Sequence, residues 1–104
     1  MSNVVKLPKV KRADTFAGEV NQRARFSNQV IFTDHLIEQM ADRDVNRRQV
    51  MTVLRKGQAL EDATFNDAKG TFEGRMAYAG GGREIRVVCA IADGNLQIYG
   101  ITVY

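Results

Sequence analysis

Phe32-Thr33-Asp34-His35-Leu36-Ile37-Glu38-Gln39-Met40-Ala41-Asp42-Arg43 is the stretch from which the architecture can be read, and it holds the chain's one histidine. The Thr33 hydroxyl is placed to accept a hydrogen bond from an orphan N–H of a first helical turn, and Asp34 follows where the helix dipole favours a carboxylate. A helix is predicted to begin here. At 100° per residue Leu36, Ile37, Met40 and Ala41 fall on one apolar stripe, while His35, Glu38, Gln39 and Asp42 share the opposite side with Arg43 at its edge. A second helix is predicted over Arg47–Lys56. Asn46-x-x-Gln49 reads as a capping box with Val45 and Val50 at the staple positions, and Val50, Val53 and Leu54 supply its buried face. Arg55 and Lys56 suit the carbonyl end of the dipole, and Gly57 stands where a left-handed residue closes many helices.

Beyond Gly57 the hydrophobic period changes from 3.6 to 2. Residues 58–65 predict a strand, ended by the turn formers Asn66-Asp67-Ala68-Lys69-Gly70. Residues 71–79 alternate, with Phe72, Gly74, Met76 and Tyr78 on one face and Thr71, Glu73 and Arg75 on a wet one. After Gly80-Gly81-Gly82, residues 83–92 place Ile85, Val87, Cys89 and Ile91 opposite Arg86, Val88, Ala90 and Ala92, an apolar middle that suits a central strand. Asp93-Gly94 predicts a tight hairpin into a last strand over 95–104. The expected class is α+β: two helices on one face of an antiparallel sheet of about four strands, the other face partly exposed.

Charge is uneven along the chain. Residues 1–30 hold six basic and two acidic side chains, the remainder nine basic and ten acidic. Residues 1–28 are expected to form a basic arm, with a short helix over 14–25 carrying Phe16 and Val20, ahead of a single domain over 29–104. The first dozen residues have little to bury and are predicted to be mobile. Lys9, Lys11 and Arg12 in this arm are candidates for sequence-independent contacts with nucleic-acid phosphates. No apolar run approaches the roughly 18 residues of a membrane helix, and charges stand where a signal peptide would be apolar, so a cytoplasmic protein without membrane contact is expected. One cysteine excludes an internal disulfide, and one histidine argues against a metal-ligand cluster; no cofactor is expected. Cys89, inside Val-Val-Cys-Ala-Ile, reads as core, the alternative being a reactive thiol.

The pattern Phe32-Thr33-x-His35, Met40 five residues after the histidine, Arg43 three further on, a capped helix with Val50 and Leu54 ending at Gly57, and a terminal Ile101-Thr102-Val103-Tyr104 resembles a family of small uncharacterised bacterial and mobile-element domains. These are similar in organisation to the RelE and BrnT toxins of the barnase-, EndoU- and RelE-like ribonuclease superfamily. The resemblance covers residues 30–104, and this chain has Gln39 where the family commonly has arginine. It implies a helix-then-sheet fold, a metal-independent action on RNA, and an antitoxin-like partner or self-association.

Metal-independent cleavage requires deprotonation of a ribose 2′-hydroxyl, stabilisation of charge on the phosphate and protonation of the leaving 5′-oxygen. His35 is the candidate acid or base, and Arg43, Arg75 and Arg86 are the candidate phosphate ligands through planar bidentate contacts. Arg83 and Tyr104 are candidate nucleic-acid contacts, and Glu84, Tyr99 and Tyr104 complete the set of proton carriers or stacking groups. The alternative is a non-enzymatic module of a phage or plasmid that binds nucleic acid or protein on the same scaffold.

Overall fold

The computed structural model describes residues 9–104; the part of the expected arm at residues 1–8 lies outside the described residues. The elements run β1 (Val10–Lys11), α1 (Ala13–Arg23), β2 (Val30–Phe32), α2 (Asp34–Arg43), α3 (Arg47–Lys56), β3 (Gln58–Ala59), β4 (Ala63–Asn66), β5 (Thr71–Gly80), β6 (Arg83–Ile91) and β7 (Ile98–Val103). The class is α+β as expected; among the described residues there are three α-helices, the first corresponding to the short helix expected over 14–25, and seven strands rather than about four. The strands form one sheet of order β1-β4-β5-β6-β7-β2, with β3 also paired to β5.

Each departure has a structural cause. The segment 58–65 is split: β3 and β4 both pair antiparallel with β5, and between them Leu60 N–H donates to the Arg75 carbonyl at 2.9 Å, the Glu61 side chain pairs with that of Arg75, and Asp62 reaches the start of α1. β2 pairs parallel with β7, Val30 opposite Ile98 and Phe32 opposite Gly100, which makes the sheet mixed. The tight glycine turn lies at Gly81-Gly82, with φ of 59° and 77° between the paired Gly80 and Arg83, rather than at Asp93-Gly94, which sits in a longer connection.

The caps decide where the helices sit. Thr33 Oγ1 accepts from Leu36 N–H at 3.2 Å and donates to the Gly100 carbonyl at 2.6 Å, so the start of α2 is fastened to β7. The Asn46–Gln49 capping box is formed in both directions at 2.8 Å. The left-handed residue is Asp44, at φ 54°, not Gly57, whose φ is −75°. Gly57 is needed for space: a Cβ there would press on the Val53 carbonyl and lie 2.7 Å from the Ala77 carbonyl oxygen. The stripe of α2 is narrower than expected, since Leu36 is buried but Ile37 is 50% exposed.

α1 belongs to the core rather than to an arm. Phe16, Val20 and Ala24 are fully buried with Leu36, Leu54, Met76 and Ile98. Asp62 Oδ1 accepts from Ala13 N–H at 2.8 Å, Asn21 Nδ2 donates to the Leu54 carbonyl at 2.7 Å, and Arg55 Nε donates to the Ala24 carbonyl at 2.7 Å. The helix is therefore held at both ends. Residues 10–11 are likewise ordered against β4.

Cys89 is completely buried, as the sequence implies, and burial pushes its thiol up to about 12. The neutral thiol is the form the fold favours, so its stabilising contribution is complete below the unfolded value near 9.0 and is lost as pH rises toward about 12. Ellman's reagent at pH 8 is expected to leave the folded protein unlabelled and to titrate one thiol only in denaturant; rapid labelling of the native state would show an open path to Cys89.

Candidate functional site

The helices cover one sheet face and leave the other open. On β5 the open face carries Thr71, Glu73, Arg75 and Ala77, which stand opposite or beside Ala90, Val88 and Arg86 of β6. Arg86 in turn exchanges main-chain hydrogen bonds of 3.2 and 3.0 Å with Tyr104, at the end of β7. This register converges two guanidiniums and a phenol from positions far apart in sequence. Arg75 Nη1 donates to Tyr104 Oη at 3.1 Å, while Arg75 Nε donates to Glu61 at 2.6 Å. Arg86 Nε donates to Glu84 at 2.8 Å. The Glu61 carboxylate, then the Tyr104 hydroxyl, hold Arg75 above its usual range, and Glu84 does the same for Arg86. The nearby Arg75 charge acts on Arg86 in the opposite sense.

Beside this group lies a trough of about 300 Å³. Small residues on a middle strand between taller neighbours create it: Ala90 and Ala92 of β6 form the floor, Thr71 and Glu73 one wall, and Tyr99 and Ile101 the other. Ile101 is pushed out of register by a bulge opposite Val88 and Cys89. Lys69 and Asn95 line the end at the start of β5 and the β6–β7 connection, and Thr33 also lines the trough. Thr71 is 6% exposed and its hydroxyl finds no hydrogen-bond partner among the described residues, a cost of about 1–3 kcal/mol in a folded protein. No composition rule marks Thr71 or Ala90; their importance comes from the register alone.

A family model described as a domain of unknown function (DUF4258) matches residues 32–104. The chain belongs to this family. No curated protein and no solved structure matches it. The DUF4258 match opens at Phe32, at the end of β2, whereas α1, which fills the same core, precedes it.

Within the DUF4258 region the candidate residues separate into groups. Arg75, Arg86 and Tyr104 come together. Arg83 does not join them: its Nη1 and Nη2 donate to the carbonyls of Asp44 and Arg43 at 2.9 and 2.6 Å, closing the end of α2. His35 and Arg43 are exposed at opposite ends of α2, about 12 Å apart along its axis. Among the described residues neither side chain forms a hydrogen bond or ion pair with Arg75, Arg86 or Tyr104. Ahead of the family region, Lys11 is structural: Nζ pairs with Glu19 at 2.7 Å and Asp93 at 3.3 Å and lies 4.7 Å from the Phe72 ring centroid. Desolvation lowers its proton affinity, but the hydrogen bonds to Glu19 and Asp93 outweigh this and leave it raised. Lys9 lies 4.8 Å from the Phe65 ring centroid, and exposed Arg12 pairs with Asp14 at 3.4 Å. Among the described residues no group of three or more His, Cys, Asp and Glu side chains is placed to hold a metal ion, and no helix is long and apolar enough to cross a membrane.

Proposed function

We propose that this is a toxin-like domain of the RelE and BrnT kind that acts on RNA across its open sheet face. The hydrogen bond from Arg75 to the Tyr104 hydroxyl, with Arg86 the main-chain partner of Tyr104 on the neighbouring strand, carries the reading. A phosphodiester held there meets two planar cations. Arg75 spends part of its five-donor fork on Glu61 and Tyr104; the remaining N–H groups, with the Nη groups of Arg86, form no other hydrogen bond among the described residues and can take phosphate oxygens. Tyr104 accepts from Arg75, so its own O–H stays available to protonate a leaving 5′-oxygen. Glu84, paired with Arg86, is the carboxylate assigned to the 2′-hydroxyl proton. The pentacoordinate phosphate gains its charge between the two guanidiniums.

A second reading keeps the surface and drops the chemistry. Both guanidiniums are already paired with carboxylates, which favours a face that holds RNA, DNA or a protein without cutting. Incubating the purified protein with total RNA in excess EDTA separates the two. Discrete cleavage products are expected; RNA that is bound but stays intact would replace the ribonuclease reading with the binding one, and RNA neither bound nor cut would remove both.

A further inference from the structure

We infer that the trough beside Arg75 is a nucleobase site, selective for bases that carry an exocyclic amino group. The inference extends the RNA reading but stands on separate residues. The floor of Ala90 and Ala92 is apolar and flat, and Tyr99 presents an aromatic wall, which suits the face of a planar ring. Opposite stands Glu73. One of its oxygens accepts from Asn66 Nδ2 at 2.6 Å, leaving the other for donors such as the amino group of guanine, adenine or cytosine. The unpartnered, nine-tenths-buried Thr71 hydroxyl on the same wall adds a group that can donate or accept along a base edge. The volume, about 300 Å³, is at the small end of ligand sites and fits a mononucleotide rather than a longer ligand.

Glu73 and Arg75 are two apart on one face of β5, about 7 Å, close to the spacing from a base to the phosphate of its own chain. A base in the trough would thus present its backbone to the arginines. The same chemistry serves a free nucleotide, so the test uses both sources. GMP, AMP, CMP and UMP are titrated into the isotope-labelled full chain by NMR. Saturable shifts at Thr71, Glu73 and Tyr99 are expected, with UMP weaker by about tenfold because it offers the carboxylate no amino donor. Glu73→Gln should flatten that ranking, and Ala92→Phe, which fills the floor, should abolish binding while circular dichroism stays native. Equal affinity for all four nucleotides, or shifts confined to Arg75 and Arg86, overturns the proposal. Ala92→Phe that binds and cuts an oligoribonucleotide as wild type does also removes the trough but leaves the RNA reading in place. Mononucleotide binding in the trough by protein inert toward the oligomer supports the trough as a free-nucleotide site and removes the RNA reading.

Discussion

Tyr104→Phe is expected to slow RNA cleavage in EDTA by on the order of 10²–10⁴-fold, the range associated with a positioned proton carrier, while RNA affinity changes little. The substitution removes one oxygen from a side chain that is 39% exposed, so it leaves the core untouched. Arg75→Lys probes the same spot from the other partner. It keeps the charge but loses the fork that reaches both Glu61 and Tyr104, so it should weaken the rate far more than an electrostatic contact would. His35→Gln is expected to cut nearly as wild type, because no described contact joins its imidazole to the arginine pair. Single-turnover cleavage of a labelled oligoribonucleotide, with binding measured alongside, reads all three. A Tyr104→Phe protein at full rate, or a His35→Gln protein without activity, would move the proton transfer to α2.

Phe16→Ala should destabilise the domain by about 3–5 kcal/mol, a large part of the roughly 5–15 kcal/mol that holds a small domain folded. Phe16 has no exposure, and its ring lies so close over β5 that a Cβ at Gly74 would sit 2.7 Å from Cε2. A glycine on a central strand and a phenylalanine on a helix form one packed contact here. Leu54→Ala should cost about 2–5 kcal/mol, and His35→Ala, on an exposed helical position, under about 1 kcal/mol. Urea unfolding followed by circular dichroism ranks the three. Phe16→Ala with an unshifted midpoint would return α1 to the status of an arm.

The elements with local causes were legible in the sequence. A capping hydroxyl at Thr33, the Asn46–Gln49 box and the alternation through 71–79 and 83–92 each act over a few residues, and each appears in the fold as read. The short strands β1 and β2 carry no local signature, because they exist only through partners far along the chain, Ala63–Asn66 and Ile98–Val103. α1 is weakly marked in the sequence for a similar reason. Its apolar set is thin, and what holds it is Asp62, Leu54 and Arg55, from elements that a local pattern does not connect to it. Gly57 follows the helix where a left-handed residue is expected, but its constraint is a carbonyl on β5 rather than its own φ.

By itself, then, the sequence determined the class, the two capped helices, the long strands and a buried Cys89, because hydrogen-bonding caps and hydrophobic period operate within a segment. It also named candidate side chains for a site, but composition carries no distances. Only the tertiary structure decided that Arg75, Arg86 and Tyr104 meet while Arg83 and Lys11 serve the scaffold, and that two alanines between taller strands open a trough. Those outcomes depend on strand register and on a one-residue bulge in β7, and register is set by the whole sheet at once.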